Sequence, residues 1–140
     1  MNNTQLIDIR FSDMDSQGHV HHEAIVGWIA HARVTFINNI IGGAGIENID
    51  YTLVHLQVDF EKSITHPGEV KIDVFVKKMG NKSLTIWYTL FKDRVRFAQA
   101  ESVTVFFDTT TEDTIYIPSI LRKALTFETI KLKYWGQPLT

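Results

Sequence analysis

The chain contains no cysteine among its 140 residues. That excludes disulfides and thiol nucleophiles, and it leaves any metal site to His, Asp and Glu. An excess of charge is missing as well: 14 basic and 16 acidic residues give a formal net charge of -2, and the basic ones are scattered. Without a broad positive field a polyanion is not held by counterion release, so nucleic acid is not an expected partner. The opening stretch MNNTQLIDIRF has no basic segment followed by an apolar run, since Asp8 and Arg10 interrupt it, and it does not read as a signal peptide. Charges break the apolar stretches before the roughly 20 residues that a membrane span needs. The expectation is a soluble protein of the cytoplasm with no membrane partner. Repeats, low-complexity segments and linkers are absent too, so residues 1–140 are expected to form a single domain.

What the sequence does have is concentrated between Arg10 and Phe36, RFSDMDSQGHVHHEAIVGWIAHARVTF, where a polar, glycine-broken loop runs into a long apolar helix. The loop holds Asp13, Asp15, His19, His21 and His22, and Gly18 allows positive φ or a close backbone approach to a ligand. From His22 or Glu23 to Ile40 the spacing is helical. Ile25, Trp28, Ile29, Ala32, Phe36 and Ile40 share one face, with Val26, Ala30, Ile37 and Ile41 beside it. The polar remainder is a narrow stripe, which predicts a core helix buried around most of its circumference. Gly42, Gly43 and Gly45 are expected to stop it.

The rest reads as strands. Gln5 to Phe11 alternates before the loop; Tyr51 to Phe60, Val70 to Lys77, Leu84 to Phe91 and Val95 to Phe107 alternate after the helix. Turns are expected at His66-Pro67-Gly68, at Gly80-Asn81, at Lys92 to Arg94 and at Asp108 to Asp113. Leu84 to Phe91 is apolar or aromatic on both faces, so it should be central in the sheet or at a subunit contact. Ile115 to Ile117 leads into Pro118, which begins a short C-terminal helix, and the final KLKYWGQPLT looks loosely held. One strand, one buried helix and about four further antiparallel strands predict an α+β fold with one curled sheet around the helix. Exposed aromatic faces on the strands suggest that sheets meet in an oligomer.

This pattern resembles the hotdog fold, and within it the 4-hydroxybenzoyl-CoA thioesterase-like family of acyl-CoA thioesterases. RFSDMDSQGHVHHEAIVGWIAHAR is similar to the family's strand, Asp-x-x-Gly loop (Asp15 to Gly18) and helix with an Ala-Arg pair (Ala32-Arg33). DFEKSITHPGEV, MGNKSL and Ile117-Pro118 resemble its later segments. By spacing alone Asp15 is a loop or helix-capping aspartate; the resemblance implies that it is the catalytic carboxylate, as nucleophile on the thioester carbonyl or as general base for water. Asp13 reads as a residue that holds the loop. The thioester oxygen would sit at the helix N-terminus, where the amide near His22 stabilises an oxyanion, and the His22 side chain could orient the carboxylate, the water or the thioester.

The family also implies a substrate site around Gly18, His19 and Ile25, where many members have a tyrosine in place of Ile25. Ser83 and Lys82 fall in a region that contacts coenzyme A in relatives. The resemblance requires no cofactor and implies a homodimer or homotetramer acting on acyl-CoA or an acyl carrier protein. His19, His21 and His22 could instead suggest a metal, but no further ligand has recognisable spacing, so none is expected. The alternative function is a non-hydrolytic acyl-thioester-binding protein, or an acyl-ACP thioesterase; a hydratase ranks last.

Overall fold

The computed structural model describes residues 3–126. Its elements are β1 (Thr4–Asp8), a 3-10 turn (Phe11–Asp13), α1 (His22–Ala44), β2 (Ile49–Phe60), β3 (Glu69–Met79), β4 (Ser83–Lys92), β5 (Val95–Asp108) and a helix, α2, over 119–126. All neighbouring strands are antiparallel in the order β1-β3-β4-β5-β2. This is the expected α+β arrangement of five strands and one long helix. The segment KLKYWGQPLT, expected to be loosely held, lies outside the described residues.

β4 is the middle strand, which accounts for its being apolar on both faces. Leu84, Ile86, Tyr88 and Leu90 point into the core and are fully buried, together with Val70, Ile72, Val74 and Val76 of β3. Against them lies one face of α1: Ile25, Trp28, Ile29, Ala32, Phe36, Ile37 and Ile40. Fully burying one such side chain is worth about 1.5–3 kcal/mol, so this layer is the main support of the fold.

Several boundaries differ from the expectation for identifiable reasons. β1 ends at Asp8 rather than Phe11, because Asp13 accepts from the Arg10 amide (2.8 Å) and the chain turns there. Phe11 is 96 % exposed. α1 runs through Gly42 and Gly43, and it is Gly45, at φ 67°, that stops it. There the amide of Gly45 donates to the Gly42 carbonyl and that of Ile46 to the Ile41 carbonyl, a left-handed glycine cap.

Nor is α1 buried most of the way round, since Val26, His31, Val34, Asn38 and Asn39 are exposed in the single chain. With only Glu23 and Arg33 charged in 23 residues, α1 is also long and apolar enough to cross a membrane by length and composition, contrary to the sequence-based expectation. Its packed face identifies it as the core helix of the sheet.

Two contacts fix the helix along the edge of that sheet. The His22 ring stacks on Phe60 at the last residue of β2, and the Tyr51 hydroxyl, near the first, donates to Asn38 Oδ1 (2.7 Å). α1 therefore runs antiparallel to β2, and the loop before it is delivered to the Phe60 end of the sheet. A bulge between Leu53 and His55 breaks the alternation of β2, and Val54 is 57 % exposed. β2 is an edge strand with one side free of hydrogen-bond partners among the described residues.

The core also encloses polar groups, Arg33, Tyr88, Ser102 and Thr104 among them. Arg33 is only 9 % exposed, its Nη1 has no hydrogen-bond partner, and the buried Thr104 hydroxyl also lacks one. The Tyr88 hydroxyl and Ser102 Oγ pair at 2.7 Å. Burial raises the Tyr88 pKa, and the Ser102 hydrogen bond and the Arg33 charge offset that only in part.

Candidate active site

The loop from Asp13 to His21 is folded by its own polar groups. Asp15 Oδ1 accepts from the amides of Gln17 and His19, both at 2.9 Å, and the Asp15 amide donates to the His19 carbonyl at 2.7 Å. The Gly18 amide donates to the Asp15 carbonyl, and closing so tight a loop puts Gly18 at φ 81°, where a side chain is strained. The two amide donors both hold Oδ1 and so define the carboxylate's direction. The His19 amide is the main cause holding the Asp15 carboxyl below its usual range; partial desolvation opposes it, and the Gln17 amide and the nearby His19 and His21 add to it.

Asp13 has a different role. It is 3 % exposed, accepts from the Arg10 amide and forms an ion pair with Arg10 Nη2 at 3.2 Å. Burial alone would raise its pKa; the Arg10 amide and guanidinium, with the Trp28 indole, outweigh that and lower it. The His21 amide donates to the Asp13 carbonyl. Asp13 thus holds the loop, as the sequence suggested, and through the Trp28 indole also ties it to α1.

Opposite the loop stand Phe60 and the segment after it. The Val20 amide donates to the Ile64 carbonyl at 2.9 Å, which fixes the distance between the two walls. Between them is a cleft of about 450 Å³ lined by Asp15, His19, His21, His22, Ile25 and Phe60, with Glu61 to Ile64 closing one side. The first residue of α1, His22, lies on this cleft, and its cap residue His21 makes no side-chain hydrogen bond to the helix. The first helical amides have no intrahelical acceptor, so the positive end of α1 opens on the same space as Asp15.

The structure thus brings together Asp15, His19, His22 and Ile25, with Gly18 in the loop that shapes Asp15. It does not bring Ser83 and Lys82 there. Ser83 pairs with Val105, and Val105 with Thr52, eight residues along β2 from Phe60, which is roughly 26 Å. Lys82 donates to Thr114 Oγ1 and lies over the Tyr116 ring. Phe60 and Lys62, which the sequence reading did not single out, are cleft residues. The only signal for them was their place at the end of an alternating strand. Among the described residues no group of three His, Asp or Glu is placed to hold a metal.

Residues 9–125 match the family described as the thioesterase-like superfamily. No curated protein matches the chain in sequence. Solved structures share its fold. A predicted thioesterase from Bacillus stearothermophilus is 23 % identical with a TM-score of 0.81, covering 89 % of this chain and 94 % of its own. The DHNA-CoA thioesterase of Staphylococcus aureus is 18 % identical with a TM-score of 0.78, covering 97 % and 95 %. A hypothetical Staphylococcus aureus protein in complex with CoA is 10 % identical with a TM-score of 0.83, covering 100 % and 88 %.

Proposed function

The chain belongs to the thioesterase-like superfamily, and on that premise we propose that it is an acyl-CoA thioesterase with its site in the cleft at Asp15. The observation that carries this reading is the relation of Asp15 to α1: a carboxylate aimed by two backbone amides shares a cleft with the N-terminus of a 23-residue helix. A thioester carbonyl placed there would turn its oxygen toward the amides of His22 and Glu23, where negative charge is stabilised as it develops. Asp15 then either attacks the carbonyl carbon, giving an anhydride that water opens, or takes a proton from the attacking water. The carbon-sulfur bond breaks, and the products are a carboxylic acid and the thiol of coenzyme A. Ile25 and Phe60 give the acyl group an apolar wall. A structural neighbour in complex with CoA supports coenzyme A as the carrier.

The working unit we propose is a homodimer, or a tetramer of two such pairs, joined through β2. An exposed twelve-residue edge strand carrying Leu53 and Val54 is a template for pairing with another chain. Antiparallel self-pairing about a two-fold axis would set the Ile49 end of one β2 beside the Phe60 end of the other. In that arrangement Ser83 and Lys82 bear on a substrate only across the subunit contact.

Thiol release measured over short, long, branched and aromatic acyl-CoAs, with Asp15→Ala beside the parent, tests the reading. Hydrolysis that depends on Asp15 is expected. Binding of acyl-CoA without thiol release would replace it with a non-hydrolytic binding protein.

A further inference from the structure

Next to the cleft is a second hollow, of about 210 Å³, that shares the wall Lys62, Ser63 and Ile64 and continues to Thr65, His66, Lys92, Asp93, Val95 and Phe97. Its groups suit an anion, and they are held in place. The amides of Glu61 and Lys62 both donate to the Phe97 carbonyl, so the backbone that carries Lys62 is fixed to β5. Thr65 Oγ1 and His66 Nδ1 pair at 2.9 Å, which leaves Nε2 of that ring to face a ligand.

Lys92 Nζ is pinned by Asp93 at 2.8 Å, with only 14 % of its side chain exposed. It passes Gly68 so closely that an added Cβ there would meet Lys92 Cε at 3.3 Å, and Gly68 adopts φ 143°. At the tip of the β4–β5 hairpin, Asp93 and Arg94 take φ 52° and 66°, a two-residue turn that presents Arg94 to solvent. Among the described residues neither Lys62 nor Arg94 has an ion-pair partner. The one acid lining the hollow, Asp93, is paired with Lys92, and Glu61, next to Lys62 in the chain, is held by Arg96 at 2.7 Å.

The two hollows adjoin through Lys62 to Ile64, and the six residues from Phe60, stacked on His22, to His66 cannot separate them by more than about 20 Å. An extended pantetheine arm, with its two amide units, is of that order. The bond between Val20 and Ile64 couples this wall rigidly to the loop of Asp15, so a group anchored in the hollow holds a thioester in the cleft at a set distance.

We infer that the hollow between residues 62–66 and the β4–β5 hairpin, built around Lys62, His66 and Lys92, receives the phosphate of a phosphopantetheine-bearing substrate whose thioester lies at Asp15. The inference rests on the thioesterase reading. It adds the place where the carrier is recognised, within one chain, where Ser83 and Lys82 would act only across a subunit contact.

The test compares kcat/KM for an acyl-CoA with that for the same acyl group on N-acetylcysteamine, which has no phosphate, in the parent, K62A/H66A and Lys82→Ala. The expected result is that the parent's preference for acyl-CoA falls roughly tenfold or more in K62A/H66A, as loss of charge-assisted contacts predicts, and does not fall in Lys82→Ala. An unchanged preference in K62A/H66A, or a fall confined to Lys82→Ala, overturns the inference while the thioesterase reading stands. If the parent cleaves neither substrate, that reading fails, and calorimetry with free CoA on the parent and K62A/H66A decides the anion site by itself. Weaker binding in the variant supports it, and equal binding overturns it. Phosphopantetheine and adenosine 3′,5′-bisphosphate as competitors separate the sources: a carrier-protein arm predicts inhibition by the first alone, coenzyme A inhibition by both, and inhibition by neither overturns the site.

Discussion

The rings of His22 and Phe60 lie 4.2 Å apart and 14° from parallel, so the first residue of α1 is clamped to the last residue of β2. The contact sets where the helix N-terminus meets the cleft, and it belongs to a residue that is itself 41 % exposed. Phe60→Ala should therefore cost little stability, about 0.5–1.5 kcal/mol, while lowering kcat/KM for thioester cleavage by roughly tenfold. Phe60→Tyr, which keeps the stack, should restore most of the loss. Thermal denaturation beside steady-state kinetics separates the two effects, and equal activity in all three proteins would dissociate the clamp from the chemistry.

Asp15→Asn should leave the loop folded, because an amide oxygen can still accept from the Gln17 and His19 amides that the carboxylate now holds. Thiol release should nevertheless fall by about a hundredfold or more, the usual scale for losing an acid-base group. Full activity in that variant removes Asp15 from the reaction.

The pH dependence follows from the same hydrogen bonds. The His19 amide foremost, with Gln17, holds the Asp15 carboxyl below the ordinary value of 3.8. Under the proposed mechanism the reactive form is the carboxylate, present above the lowered pKa and lost as pH falls through it. The acid limb of kcat/KM should then lie below about pH 4, the usual aspartate range. A limb well above that range assigns the essential ionisation to another group.

Asp13 gives the opposite dissection, a fold effect without a chemical one. Asp13→Ala leaves the Arg10 amide and the Trp28 indole without their acceptor, a loss of about 1–3 kcal/mol. Since the pKa is lowered in the folded protein, the parent's advantage over the variant is full above the unfolded aspartate pKa and shrinks as pH falls through the folded one. Denaturant melts at pH 7 and in acid measure that convergence; a gap that widens in acid contradicts it.

Much of this was legible in the sequence, and for a physical reason. Alternation and helical period report which side chains leave water, and burial dominates the energetics, so the five strands, the long helix and the central place of Leu84 to Phe91 all came from pattern. The loop and the helix start were legible because a glycine loop before an apolar helix has few ways to fold, whereas the weight placed on Asp15 came from the family resemblance, since its spacing alone marks only a loop or capping aspartate. Contacts between distant segments carry no such period. Phe60 and Lys62 meet Asp15 only because α1 lies antiparallel to β2, and the bulge at Leu53 to His55 that exposes Val54 leaves no mark on composition. The polar face of α1 was read as too narrow because a valine at 37 % exposure, Val26, looks like core on a helical wheel.

Arg33 offers a test of how a buried cation is tolerated. It is nearly enclosed, and its Nη1 lacks an acceptor. Arg33→Met should therefore be neutral or stabilising in thermal melts, as is common when a poorly satisfied buried ion is replaced by an apolar side chain of similar length. A loss beyond about 2 kcal/mol would mean that the hydrogen bond between Arg33 and Tyr88 outweighs the unsatisfied Nη1.

β2 forms the floor of the cleft through Phe60 and is at the same time the strand with an open edge. A perturbation that reaches either the edge or the cleft must travel along one twelve-residue ladder. Under the proposed pairing, concentration becomes a control on catalysis: dilution below the self-association range would free the ladder, loosen the seat of His22 and silence each protomer well before it unfolds.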